Sequence, residues 1–171
     1  INEVIDQYFV QNSDKNAKVL KREFINEDPS LFGVKPFVVK FDISSEYFVE
    51  KTGDKYLFKL GDLIGPQMEM QQEKKRILPL EAEFNRSYYR TIKIHIPEGY
   101  QISNLEDIII KNSYTTKDKE LFIFDSYYTL EGNVLTVTAD EHYRESIVAP
   151  EIFEAYRTVI NSAADFNKVT L

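Results

Sequence analysis

A chain of 171 residues with a formal net charge of −7 is long enough to bury one substantial core, but it lacks the concentrated basic face that neutralises a phosphate backbone, which argues against a nucleic-acid partner. The absence of cysteine removes disulfides, thiolate nucleophiles and cysteine metal ligands together. No window approaches the roughly 18 consecutive apolar residues of a membrane-spanning helix, and the N-terminus has neither the basic start nor the apolar run of a signal peptide.

Taken in chain order, Ile1, Val4, Ile5, Tyr8 and Phe9 keep the spacing of an apolar helical stripe, so residues 1–14 are expected to form a short N-terminal helix, docked on this domain or on a missing upstream one. The start at Ile1 without a methionine and the strand-like end at Leu171 suggest a piece of a longer protein. Residues 15–171 read as a single domain. A strand is expected from Lys18 to Asn26, a turn at Glu27-Asp28-Pro29-Ser30, and a half-buried strand where Phe37, Val39, Phe41 and Ile43 alternate with Val38, Lys40 and Asp42. Tyr47–Lys51 and Lys55–Leu60 should form a hairpin across Thr52-Gly53-Asp54, where Gly53 can take positive φ. Residues 67–78 fit an edge strand or extended loop, with a short helix as the competing reading.

The strongest strand signal follows. Ile92, Ile94 and Ile96 alternate with Thr91, Lys93 and His95, giving one dry and one wet side before Pro97-Glu98-Gly99 stops the run. Strands are expected again over 107–111, 120–128 and 134–139, with Gly132-Asn133 as a tight hairpin signal. From Pro150 to Phe166 the residues Ile152, Phe153, Tyr156, Val159, Ile160 and Ala163 share one helical face. Residues 168–171 are expected to close the chain as a strand. Strands at intervals of about ten residues point to an antiparallel, immunoglobulin-like β-sandwich with one C-terminal amphipathic helix.

Chemistry is sparse. Of two histidines, His95 falls on a wet strand face, and His142 follows Asp140-Glu141; a metal or hydrolytic site from these three is undermined because adjacent strand residues point to opposite sides. Neither a serine-nucleophile elbow nor a phosphate-binding glycine loop is present, so no catalytic, metal or cofactor residue is assigned. The surplus is aromatic: eleven Tyr and twelve Phe, with doublets at Tyr88-Tyr89 and Tyr127-Tyr128. A doublet within a strand must turn one ring outward, so Tyr88, Tyr127, Tyr128 and Tyr143 are taken as a candidate surface for a glycan or peptide. The competing reading is that the rings serve cross-strand packing.

The runs Gly61-Asp62-Leu63-Ile64-Gly65-Pro66-Gln67, Asn85 through Tyr89, Ile96-Pro97-Glu98-Gly99-Tyr100, Tyr156-Arg157 and Ala164-Asp165-Phe166 resemble the C-terminal β-rich region, a domain of unknown function, of bacterial envelope proteins that carry a transglutaminase-like, cysteine protease-like domain upstream. The resemblance implies a non-catalytic accessory domain, periplasmic or at the cell surface, that packs on or positions the enzymatic module of the same polypeptide. The family's Cys-His-Asp arrangement has no counterpart in a chain without cysteine, so no catalytic residue carries over.

Overall fold

The computed structural model describes residues 14–171; the expected N-terminal helix lies outside the described residues. The chain divides into two compact units with the boundary between Phe58 and Lys59. The division follows the core. Every fully buried apolar side chain among the described residues comes from Leu60 onward.

The first unit holds two separate antiparallel ribbons. Strand β1, Lys18–Ile25, pairs with β2, Val38–Ser44, with a bulge between Val19 and Lys21. Between them Asp28 Oδ1 accepts from the Ser30 amide at 2.8 Å and Pro29 opens a 3₁₀ turn, so the Asp-Pro-Ser signal works by an ordinary side-chain cap. Strand β3, Val49–Thr52, pairs with β4, Lys55–Phe58, with Thr52 opposite Lys55. The connection is therefore the two residues Gly53-Asp54, one fewer than expected, with φ +63° at Gly53, the first central position at which tight hairpins of the II′ kind place glycine.

The second unit is built on a four-stranded antiparallel sheet in the order β6 (Arg86–His95), β9 (Val134–Tyr143), β8 (Glu120–Glu131), β7 (Ile110–Thr115). Two of its strands run longer than the sequence pattern suggests, because β8 and β9 continue as one ladder from the Gly132-Asn133 turn to the pair Phe122 and Tyr143. The single helix, α1, Phe153–Phe166, packs over β7 and β8. Its Tyr156 meets Phe122 edge-on at 5.1 Å and its Phe166 meets Phe124 at 5.8 Å, while Asn112 of β7 donates to Ser162 Oγ at 2.8 Å. Burying such rings contributes roughly 1.5–3 kcal/mol each, which explains how a helix with no side-chain N-cap is held. The chain is thus mainly β and antiparallel with one C-terminal helix. The layer over β7 and β8 of this sheet is α1.

Of the readings open for residues 67–78, the extended loop is the one observed; it runs toward β5, Leu80–Glu81, which pairs with β10, Ile147–Val148. The loop is stitched to the end of α1 by asparagines: Asn161 Oδ1 accepts from the Met70 amide at 2.7 Å, and Asn161 Nδ2 donates to the Met70 carbonyl at 3.0 Å. Asn167 Nδ2 donates to the Gly61 carbonyl at 2.8 Å. Residues 168–171 form no strand. Their carbonyls are instead used singly, Val169 by the Gly61 amide at 2.9 Å and Thr170 by Asn104 Nδ2 at 2.9 Å. At Gly61 a Cβ would collide with the backbone carbonyl oxygens of Phe166 and Asn167, so the close approach of these segments requires glycine.

Candidate functional site

Alternation along β6 and β9 sorts the sheet into two sides. Toward the helix point Arg86, Tyr88, Arg90, Ile92 and Ile94, aligned with Tyr143, Glu141, Ala139, Val137 and Leu135. Toward solvent point Tyr89, Thr91, Lys93 and His95, aligned with Asp140, Thr138, Thr136 and Val134. The dry and wet sides read from Ile92, Ile94 and Ile96 are those observed.

This sorting scatters the four tyrosines chosen from the sequence. Tyr143 is buried, 3% exposed, against Phe122 and Tyr156, and is a core residue with no surface to offer. Tyr88 and Tyr128 stand on the helix side, where Tyr88 lies under the Arg90 guanidinium at 4.8 Å and Tyr128 is half-buried. Tyr127 alone of the four faces outward from the wet side, 48% exposed. The ring that joins it there is Tyr89, 70% exposed. Tyr89 is aligned with Asp140, and Tyr127 with Thr138, which sets the rings on strands two spacings apart, about 10 Å across the sheet. Both doublets were visible in the sequence, but which member faces out depends on strand register, and register is fixed by the pairing partner.

Around the two rings the wet side is polar. Thr138 aligns with Tyr127 on one side and with Thr91 on the other, and one row along, Asp140 aligns with Tyr89 and with Asp125, which holds Lys111 Nζ at 2.6 Å. Hydroxyls, carboxylates and outward rings at strand spacing can stack on and hydrogen-bond to a flat polar ligand.

The helix side carries a buried polar network. Glu141, 4% exposed, accepts from Arg90 NH1 at 2.8 Å and from the Tyr143 hydroxyl at 2.9 Å. Arg86 lies over the Tyr143 ring at 5.3 Å and donates to the Tyr156 hydroxyl at 3.3 Å. Burial first, and the neighbouring Glu141 carboxylate second, push the Tyr143 phenol far above its ordinary value, so it remains a proton-bearing donor at neutral pH. A buried ion pair with its remaining lone pairs satisfied orders the core. It does not leave a group free to act on a substrate.

His142, which follows Asp140-Glu141 in the sequence, is 6% exposed, with Nε2 at 3.1 Å from Glu120 Oε1. Burial pushes its imidazole below the ordinary value, Arg144 adds to the shift, and Glu120 opposes it. Asp140 shares its side of β9, whereas Glu141 faces the helix, so the three do not converge. Among the described residues no three His, Cys, Asp or Glu side chains gather as a metal would need.

A concavity lies between the loop and the helix start. Met70, Arg76, Leu80 and Phe153 are among the residues lining an open groove of about 570 Å³. The Arg76 guanidinium lies 4.9 Å from the Phe153 ring centre, and its Nε donates to the Leu78 carbonyl at 3.0 Å. Ile77, 85% exposed, together with Leu78, Phe84 and Ile147, leaves apolar side chains uncovered on and beside the β5–β10 ribbon.

Residues 57–171 match a family described as a domain of unknown function with a solved structure, DUF3858. The chain belongs to this family. The matched span of the DUF3858 domain begins within two residues of Lys59, where the second compact unit starts, so the sheet, its helix and the asparagine-stitched loop make up the family's module. No curated protein and no solved structure matches the DUF3858 chain significantly.

Proposed function

We propose that this chain is a non-catalytic accessory domain of a bacterial envelope protein, periplasmic or at the cell surface, and that it packs on or positions a transglutaminase-like module of the same polypeptide. The observation that carries this reading is the state of residues 14–58. Two ribbons of two strands each leave Leu20, Phe32, Val34 and Phe37 exposed, and a two-stranded ribbon is marginally stable on its own. Such a segment is completed by packing against another surface. Membership of DUF3858 and the resemblance of the Gly61–Gln67 and Pro97–Tyr100 runs to transglutaminase-like envelope proteins supply the kind of partner. Hydrogen exchange compares the isolated chain with the full-length polypeptide: the amides of β1 and β2 should become protected at least tenfold in the longer protein, a gain of about 1.4 kcal/mol. Equal exchange in both overturns the reading.

A second reading has its own observation. Tyr89 and Tyr127 stand outward on one polar side, with Thr138 and Asp140 on the strand between them and Thr91 beside Tyr89, which favours a glycan stacked on the rings over an apolar peptide. Soluble chitin and cellulose oligosaccharides should shift the NMR signals of Thr91 and Thr138, and Tyr89→Ala should abolish the shift while Tyr88→Ala leaves it.

A further inference from the structure

The four-stranded sheet has two unlike edges. Strand β7 is six residues long, has a register shift between Tyr114 and Thr115, and lies against α1. Each of these blunts an edge against pairing with another chain. Strand β6 has none of them. Its ten residues pair with β9 without a shift from Arg86 to His95 and include no proline or glycine. Among the described residues no further strand or loop backbone is bonded along its outer side. Because α1 packs over β7 and β8, the β6 row on the helix side is also incompletely covered: Tyr88 is exposed, and Ile92 and Ile94 are half-buried.

We propose that β6 pairs antiparallel with β6 of a second copy about a twofold axis at Thr91, joining two sheets into one continuous sheet. The choice of a second copy rests on the strand's complementarity to itself. Residues paired across antiparallel strands share a side, so matching dry to dry and wet to wet admits only registers centred on a residue. Centring on Arg90 sets two guanidinium groups opposite each other, and centring on Ile92 brings Pro97, which has no amide hydrogen, opposite Ser87. Centring on Thr91 does neither. It sets Tyr88 against Ile94 of the second copy on the helix side, and Tyr89 against Lys93 on the wet side, where an ammonium can lie over the ring. The basic character of the strand is compatible with this: Arg90 is neutralised by Glu141 at 2.8 Å, Lys93 faces a tyrosine, and Arg86 lies at the outer end of the pairing.

The chain has no cysteine, so a single introduced one reports proximity without background. In the full 171-residue chain, Thr91→Cys places two sulfurs at the axis with Cα atoms about 4.5–5.5 Å apart, within disulfide reach. Ser87→Cys places them eight strand positions apart, about 27 Å. Under mild oxidation, Thr91→Cys should cross-link on the order of tenfold faster than Ser87→Cys or than Ser113→Cys on β7, since only the first geometry permits the bond. Sedimentation of the unmodified chain should show a mass that rises to that of a dimer with concentration. A monomer at all concentrations overturns the proposal. So does a dimer in which Thr91→Cys cross-links no faster than the other two, which would place the contact elsewhere or in another register.

Discussion

Residues 14–58 and residues 59–171 are built from the same kinds of side chain but reach different ends. The second unit closes a core in which Phe122, Phe124, Leu135, Val137, Tyr156 and Phe166 are fully or almost fully withdrawn from water, whereas the first leaves Leu20 at 68% and Val34 at 75% exposure. The difference is one of layers and not of composition. Paired strands become stable when a third or fourth strand and a covering helix exclude water from one face. Among its described residues the first unit stops at pairs.

Core truncation is the sharpest way to break that contrast. Phe124→Ala removes a ring buried beneath Phe166 and should cost about 3–5 kcal/mol, while Leu20→Ala on an exposed ribbon position should stay within about 0.5 kcal/mol. Urea denaturation of both variants measures this; comparable losses would remove the distinction between the units. Next in size is Gly61→Ala. Its methyl group must push aside the carbonyls of Phe166 and Asn167, an overpacking that should cost about 1–3 kcal/mol and lower the thermal midpoint, whereas Gly53→Ala is open to solvent and should be felt only through its positive φ. The smallest effect is a pH dependence that His142 gives the second unit. The His142 value is depressed in the folded chain, so the unfolded state binds the proton more readily. Its contribution is fully present above the unfolded value of about 6.5 and is lost as pH falls through the lower folded value. His142→Gln should flatten the denaturation midpoint across this acid window, and an unchanged slope would show that another group governs it.

Local patterns in the sequence foretold what neighbours along the chain decide. The alternation from Thr91 to Ile96 and the glycines at positions 53 and 132 gave the strand sides and the hairpin turns, and the stripe from Phe153 to Ala163 gave the helix. What stayed hidden depends on partners far away in sequence. The side taken by each member of a tyrosine doublet follows from the β6–β9–β8 registers, and the pairing of His142 with Glu120 follows from the β8–β9 register beside the β7–β8 register shift. The closing residues 168–171 look like a strand because Val and Thr favour one. Their carbonyls serve Gly61 and Asn104 individually, a use no alternation can announce.

The amide of Asn161 offers the Met70 backbone one donor and one acceptor, which is what a peptide group on an adjacent strand would offer. In this respect the helix impersonates a β-partner for a segment that has none, and only an amide can do so. Aspartate has the same shape but no hydrogen to give the Met70 carbonyl, and leucine has neither. The chemical ageing of that one side chain, by loss of its ammonia to water, would therefore turn an attraction into a repulsion and unfasten the loop while the sheet beneath it stayed whole.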